Sequence, residues 1–161
     1  MRGQSPTRPM RLDFTLNSRP YRLEAPDHWT VLDLLRDGLA LTATKYGCGE
    51  GVCGTCTVLL DDEPVRACLV LAARLRGRTL LTAEGLESNG APDRLQSAFA
   101  RAGAAQCGFC TPGMLLSARA LLAANPSPTE RDVREALAGN LCRCTGYTKI
   151  IEAVLAATGP R

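Results

Sequence analysis

The chain begins with a region in which apolar and polar residues alternate. Leu12, Phe14 and Leu16 recur at every second position, and a second alternating run follows residues 17–18. A period of two is the pattern of a half-buried strand, and a short polar pair between two such runs is typical of a hairpin turn. The pattern therefore predicts a β-hairpin over residues 11–24.

A helix and several short strands are expected after the hairpin. Thr30 is a good N-cap for a helix that carries Leu34 and Leu35, and Gly38 ends the apolar pattern of this helix. The order of elements predicts a small α+β domain over residues 10–85. Short apolar runs between turn residues predict further strands at residues 57–60, 65–68 and 78–81.

The second half of the chain changes to a period of three or four, which predicts helices. Residues 86–91 (LESNGA) separate the two patterns and are expected to form a linker. Residues 92–158 are predicted to form an all-α domain of four short helices. The second of them has only Arg119 charged, so it is expected to be the central, buried helix. The helix starts are expected at Pro92, at Pro112 with Thr111 as N-cap, after an N-cap at Thr129, and near Thr148.

Composition and charge narrow the classes of function. The chain has 161 residues, a formal net charge of +3 and only 4% aromatic residues. A slight, scattered basic excess and few aromatic side chains argue against a nucleic-acid-binding surface. Residues 1–9 are basic and polar, and they are expected to form a disordered tail rather than a secretory signal. The apolar runs are too short for a membrane span, so a cytoplasmic location is predicted. Disulfides do not persist in the cytoplasm, so the eight cysteines of the chain need another explanation.

Four cysteines in the first half have the spacing of a metal-binding loop. Cys48, Cys53 and Cys56 form a C-x4-C-x2-C run, and Cys68 follows after eleven further residues. We call these four residues the first thiol set. Their spacing is that of the plant-type ferredoxins, which bind a 2Fe–2S cluster. Glycines fill most of the gaps, so backbone N–H groups can approach an anionic cluster and donate to its sulfurs, and a 2Fe–2S cluster is the prediction for this set.

A zinc knuckle and buried free cysteines are the alternatives to this interpretation. Zinc sites favour paired short C-x2-4-C hooks, whereas this run contains one such hook overlapping a four-residue gap. Rieske-type ligation needs two histidines, and His28 is the only histidine in the chain. The Rieske variant is therefore excluded, and His28 is assigned no function.

The second half holds two further cysteine hooks, which together form the second thiol set. Cys107 and Cys110 form a C-x2-C hook, and Cys142 and Cys144 form a C-x-C hook. Spacing alone allows zinc as well as a second cluster. Both hooks precede predicted helix N-termini, whose free N–H groups and partial positive charge would stabilise a cluster that becomes more negative on reduction. The geometry therefore favours a second 2Fe–2S cluster.

Three motifs in this order, GCGEGVCGTCTV, QCGFCTPGM and GNLCRCTGY, resemble the iron–sulfur subunit of the xanthine oxidase family of molybdenum hydroxylases. The resemblance covers about residues 10–157, and the combined pattern is very specific. It implies a β-grasp 2Fe–2S ferredoxin-like domain followed by an all-α four-helix 2Fe–2S-binding domain. It also implies two partners, a large subunit that holds a molybdopterin cofactor and a medium subunit that holds FAD, in a heterotrimer or a dimer of heterotrimers.

The resemblance also implies an order of electron transfer. The cluster of the helical domain would take electrons from molybdenum, and the plant-type cluster would pass them to FAD. Gln106 matches the family glutamine that hydrogen-bonds the pterin, and the region of Cys144 would approach the same cofactor. The chain would then be an oxidoreductase subunit with no substrate site of its own.

Two other classes of function stay open from the residues alone. A free-standing two-cluster ferredoxin would shuttle electrons between soluble enzymes, although the mixed charges of this chain offer no evident charged docking face. A zinc-stabilised interaction domain would contain no iron. Metal content and the partners that co-purify with the chain distinguish these classes.

Overall fold

The structure is a computed structural model that describes residues 8–87 and 90–158. Within these residues the first half is rich in strands and the second half is helical, as predicted. The strands are β1 (Pro9–Leu16), β2 (Arg19–Pro26), β3 (Thr57–Leu60), β4 (Glu63–Arg66) and β5 (Thr79–Leu81). The helices are α1 (Val31–Asp33), α2 (Arg94–Ala102), α3 (Thr111–Ala124), α4 (Glu130–Leu137) and α5 (Thr148–Ala156).

The sheet joins a hairpin to three shorter strands in the order β2-β1-β5-β3-β4. β1 and β2 pair antiparallel through a turn at Asn17 and Ser18, whose φ angles of 49° and 65° have the positive sign that a type I′ turn requires. The predicted hairpin is therefore confirmed. β1 begins at Pro9, so the last residue of the predicted tail lies in the sheet, while residues 1–7 of that tail lie outside the described residues.

A short helix packs on one face of the sheet. Thr30 caps α1 as predicted, because its hydroxyl accepts the Asp33 N–H while the Asp33 carboxylate accepts the Thr30 N–H. The helix continues as a π-helical turn over Leu34–Gly38. The first core, between this helix and the sheet, contains Leu12, Phe14, Leu16, Val31, Leu34, Leu35, Val58, Leu60, Leu75 and Leu80.

The helices of the second half enclose a second core. Leu59 of β3 and Leu86 belong to it, so the helices pack directly against the sheet. Leu86 is the first residue of the predicted linker, and residues 88 and 89 of that linker lie outside the described residues. The helices contribute Leu95, Phe99, Met114, Leu116, Val133, Leu137, Ile150 and Val154 to this core.

The predicted starts of these helices are partly correct. Thr129 caps α4 and α5 begins at Thr148, as expected. α2 begins at Arg94 rather than at Pro92, because Asp93 forms a capping box there. α3 is central, as predicted: it contacts β3, β4, α2 and α4. In the part of the chain that the structure describes, no helix combines the length and apolar character that crossing a membrane requires.

Candidate metal centres

The loop before β3 carries the first three cysteines of the first thiol set. It turns sharply at Gly49 and Gly51, whose φ angles are 72° and 76°, a backbone conformation that glycine adopts without strain. These turns direct the N–H groups of Glu50 and Cys53 at the Cys48 Sγ, each at 3.4 Å. A thiolate at Cys48 is therefore met by two backbone donors.

A third glycine allows close approach next to Cys53. A Cβ atom on Gly47 would lie 2.7 Å from the Cys53 Sγ and 2.5 Å from the Thr55 Oγ1. The Thr55 hydroxyl itself lies 3.2 Å from the Cys53 Sγ. A side chain at position 47 would therefore displace a predicted metal ligand or the hydroxyl beside it.

The first thiol set divides into two pairs. Cys48 and Cys53 are neighbours, and hydrogen bonds from the N–H groups of Cys53 and Glu50 lower the pKa of Cys48 to about 6. Cys56 and Cys68 are also neighbours, and burial raises the pKa of Cys56 to about 11. The pairs thus differ in environment, with Cys56 only 2% exposed and Cys48 and Cys53 half-buried.

The second thiol set is divided in the same way. The Sγ atoms of Cys107 and Cys144, both exposed, lie 3.6 Å apart. Two thiolates bound to one tetrahedral metal at about 2.3 Å would lie about 3.7 Å apart, so this pair has the spacing of ligands to one ion. Cys110 and Cys142 form the other pair, and burial raises the pKa of Cys110 to about 12.

Cys110 is placed by the start of α3. The helix begins at Thr111 with Cys110 as N-cap, one residue before the predicted start at Pro112. The difference arises because the Met114 N–H already bonds to the Cys110 carbonyl oxygen. The Cys110 thiol therefore lies at the positive end of the helix dipole, which offsets part of the cost that burial imposes on a thiolate or an anionic group there.

A small ring of hydrogen bonds surrounds Cys142. The Thr145 hydroxyl donates to the Cys142 Sγ (3.1 Å), the Tyr147 N–H donates to the Thr145 Oγ1 (3.2 Å), and the Cys142 N–H donates to the Tyr147 hydroxyl (2.9 Å). Burial acts to raise the pKa of Cys142, but the hydrogen bonds from Thr145, Cys144 and Cys110 together outweigh it and the pKa is lowered. Nothing in the sequence distinguishes Thr145 or Tyr147, because hydroxyl residues near a cysteine are no general signal of a metal centre.

Gln106 lies beside the exposed cysteine pair. Its Nε2 donates to the Cys144 carbonyl oxygen at 3.1 Å, and both residues are exposed. The two residues that the resemblance relates to a pterin are therefore brought together at the surface. This edge of the second thiol set faces outward.

A buried polar network connects the two halves of the chain. Asn140 is only 2% exposed, and its Nδ2 donates to the Gly54 carbonyl oxygen (2.9 Å) and to the Thr57 Oγ1 (3.1 Å). Its Oδ1 accepts the Ser117 hydroxyl at 2.9 Å. The sequence did not single out Asn140, because two of its partners lie more than eighty positions away and leave no local pattern.

The backbone beside Asn140 reaches the first thiol set directly. The Leu141 N–H donates to the Cys53 carbonyl oxygen at 2.8 Å, and Leu141 immediately precedes Cys142. Arg66 donates to the Gly139 carbonyl oxygen at 2.8 Å on the same segment. One hydrogen bond and one peptide unit thus separate a cysteine of each set.

The donors present fit two iron–sulfur clusters. A 2Fe–2S cluster takes two thiolates on each iron, and the eight thiols lie as four pairs. Backbone N–H groups at Cys48 and a helix N-terminus at Cys110 supply the hydrogen-bond donors that such anionic groups need.

Comparison with known families divides the chain into two consecutive matches. A 2Fe-2S iron-sulfur cluster binding domain matches residues 14–83. A 2Fe-2S binding domain of a second family matches residues 82–155. Each match contains one of the two thiol sets.

Similar proteins are small subunits of oxidoreductases. The nicotine 6-hydroxylase small subunit of Paenarthrobacter nicotinovorans is 52% identical over 159 residues, which cover 99% of this chain and 96% of that subunit. The nicotinate dehydrogenase small FeS subunit of Eubacterium barkeri is 47% identical over 143 residues, covering 89% and 91%. A chain of quinoline 2-oxidoreductase from Pseudomonas putida 86 matches with a TM-score of 0.90 and 46% identity, over 92% of this chain and 93% of that one. The chain therefore belongs to the iron–sulfur small subunits of the xanthine oxidase family of molybdenum hydroxylases, in which it is the electron-transfer subunit.

Proposed function

We propose that the chain relays electrons from a molybdopterin-containing large subunit to the FAD of a medium subunit. In this proposal the first thiol set binds the plant-type cluster of a β-grasp domain (residues 10–85), and the second binds the cluster of a four-helix domain (residues 92–158). Residues 86–91 join the two domains. Each cluster, when bound, supplies a one-electron redox centre.

The observation that carries this proposal is that the four cysteine pairs follow one another from the surface near Gln106 to the loop of the first thiol set. The Cys107 and Cys144 pair is exposed beside Gln106, whereas Cys110 and Cys142 lie deeper. From Cys142 the peptide to Leu141 and one hydrogen bond reach Cys53, which forms a half-buried pair with Cys48 in the first set. An electron entering at the second set therefore has a short path of bonded atoms to the first.

Gln106 is proposed to contact the pterin of the large subunit. Its bond to the Cys144 carbonyl oxygen fixes the amide beside the exposed cysteine pair. The other N–H of this amide and its oxygen can then recognise a polar heterocycle without reorganisation of the side chain. This supports entry of electrons at Cys107 and Cys144.

Apolar side chains near each thiol set support partner subunits at both ends of this path. Tyr46, Val52 and Leu69 are 63%, 64% and 60% exposed, and all three lie on or against the loop of the first set. Phe109 and Leu141 are 45% and 51% exposed beside the second set. Exposed apolar side chains that lie around one site are a feature of protein–protein interfaces. We propose the FAD subunit at the first group and the molybdopterin subunit at the second. We also propose a reducing, cytoplasmic setting, since none of the eight cysteines forms a disulfide.

Metal analysis of the complex tests the proposal. The chain is purified from its native source with its partners, and iron, acid-labile sulfide and zinc are measured per small subunit. Two irons and two sulfides per thiol set are expected, with two distinct electron paramagnetic resonance (EPR) signals on reduction. Zinc in place of iron would contradict the proposal. So would a soluble monomer that carries all the iron and co-purifies with no flavin or molybdenum subunit.

Ligand variants assign each centre to its thiol set. In the complex, Cys110→Ser is expected to remove the signal of the second centre and stop electron flow to FAD, while the first centre is largely retained. Cys48→Ser is the matched change in the first set and is expected to give the reverse pattern of EPR signals. Loss of both signals in each variant would contradict two separate centres.

A further inference from the structure

Beside each thiol set lies one threonine whose hydroxyl contacts a cysteine sulfur of that set. The Thr145 Oγ1 lies 3.1 Å from the Cys142 Sγ, and the Thr55 Oγ1 lies 3.2 Å from the Cys53 Sγ. Neither threonine is required to ligate a metal in the proposed function. Both stand where a donated proton would alter the charge density on a ligand sulfur.

At Thr145 the hydroxyl is the donor to the Cys142 Sγ, because a thiolate that binds metal carries no proton and can only accept. The Tyr147 N–H donates to the Thr145 Oγ1 at 3.2 Å, which occupies a lone pair of that oxygen. The hydroxyl proton is then free to point at the Cys142 Sγ. The Thr55 hydroxyl has a second acceptor, the Lys45 carbonyl oxygen at 3.4 Å, so its proton is shared between two directions.

The backbone holds Thr145 in this position at a cost. Tyr147 has a φ of 68°, in the left-handed region that a bulky residue rarely adopts. Two hydrogen bonds stabilise this conformation, one from the Tyr147 N–H to Thr145 and one from the Cys142 N–H to the Tyr147 hydroxyl. Backbone strain of this kind persists where the surrounding contacts over-determine it, which is common at functional sites.

We propose that the Thr145 hydroxyl raises the reduction potential of the second centre, and that Tyr147 is the positioning residue for it. The inference rests on the proposed function, because it requires a cluster at Cys142. One-electron reduction makes the centre and its thiolates more negative, so a donor to a thiolate stabilises the reduced state more than the oxidised state. Hydrogen bonds to the sulfurs are among the features that set the potential of an iron–sulfur centre.

An EPR-monitored redox titration of the intact complex with Thr145→Val tests this. Valine keeps the shape of threonine and removes both the donor to the Cys142 Sγ and the acceptor of the Tyr147 N–H. At the wild-type midpoint potential, the reduced-to-oxidised ratio of the second centre is expected to fall about tenfold, which for a one-electron couple is about 59 mV. Thr145→Ser retains the hydroxyl and is expected to restore the wild-type value.

Thr55→Val is the matched control, since it makes the same chemical change at the first centre. It is expected to leave the potential of the second centre unchanged, while Thr145→Val leaves the first unchanged. The signals are assigned with the Cys110→Ser and Cys48→Ser variants.

Several results would overturn the inference. An unshifted second centre in Thr145→Val, or an equal shift of both centres, would do so. Loss of the second centre in both Thr145→Val and Thr145→Ala, with retention in Thr145→Ser, would assign the hydroxyl to assembly of the centre instead. A wild-type complex without iron would refute the proposed function and this inference with it, whereas an unshifted second centre in a complex that holds both clusters refutes this inference alone.

Discussion

Replacement of Asn140 with alanine tests the connection between the two halves of the chain. The Asn140 amide takes part in three buried hydrogen bonds, with Gly54, Thr57 and Ser117. Alanine removes all three and leaves the backbone of the segment unchanged. The loss of stability should therefore be greatest where this segment meets the loop of the first thiol set.

The magnitude follows from the partners that remain. A hydrogen bond contributes about 1 kcal/mol net, and a buried group left unpaired costs on the order of 1–3 kcal/mol. Thr57 keeps the Arg66 donor and the Gly54 oxygen keeps two donors from Thr57, whereas the Ser117 hydroxyl loses its acceptor. We expect a local loss of about 3 kcal/mol, which corresponds to a factor of about one hundred in the opening equilibrium.

Hydrogen exchange of the Leu141 amide is the direct measurement, because this N–H donates to Cys53 across the junction. In the intact complex, Asn140→Ala is expected to accelerate exchange over residues 139–142 and 53–57 about one hundredfold, with the amides of α5 unaffected. Ser117→Ala removes one of the bonds and is expected to accelerate exchange tenfold or less. Exchange at Leu141 that stays as slow as in the wild type would refute the assignment of Asn140 as the connecting side chain.

Two further outcomes are expected. Gly47→Ala places a Cβ 2.7 Å from the Cys53 Sγ, so it is expected to reduce the iron content and EPR signal of the first centre only. Gly77→Ala strains a backbone with a φ of 68° but places its Cβ within 4 Å of no other group, so it should retain both centres. At the start of α4, hydrogen bonds from the Thr129 backbone and side chain hold the pKa of Asp132 below its ordinary value of 3.8. A depressed carboxyl pKa stabilises the fold above the unfolded value and ceases to do so as the pH falls through the folded value. The difference in melting temperature between the wild type and Asp132→Asn is therefore expected to be largest near neutral pH and to vanish in strong acid; a constant difference across the titration would contradict this.

Features with a local cause were predictable from the sequence. The hairpin is visible because alternation and turn residues act over a few positions, and Thr30 and Thr129 are visible because a cap binds an N–H three residues away. The predicted start of α2 was wrong for a similar local reason. Pro92 and Asp93 are adjacent start signals, and the carboxylate at Asp93 closes a capping box that proline cannot form.

Features that join distant segments were not predictable. The cysteine spacings indicated which thiols to group, but the division of each set into pairs depends on how the loop and the helices fold. Asn140 and Thr145 carry no pattern of their own, and their importance comes from the sulfur or carbonyl groups that folding brings to them. By its chemistry alone, Gln106 could not be distinguished from any other exposed polar side chain. Only the resemblance to the xanthine oxidase family identified it as a candidate.

The sharing of Leu59 and Asn140 between the halves bears on how the chain can be taken apart. β3 supplies an apolar side chain to the helical core, and the helical half supplies the amide that satisfies Gly54 in the loop. Two fragments produced separately would each expose an unfinished surface that only the other can cover. We therefore expect such fragments to fold poorly alone and to complement one another as a noncovalent pair. This chain is then not a pair of independently folding ferredoxin modules.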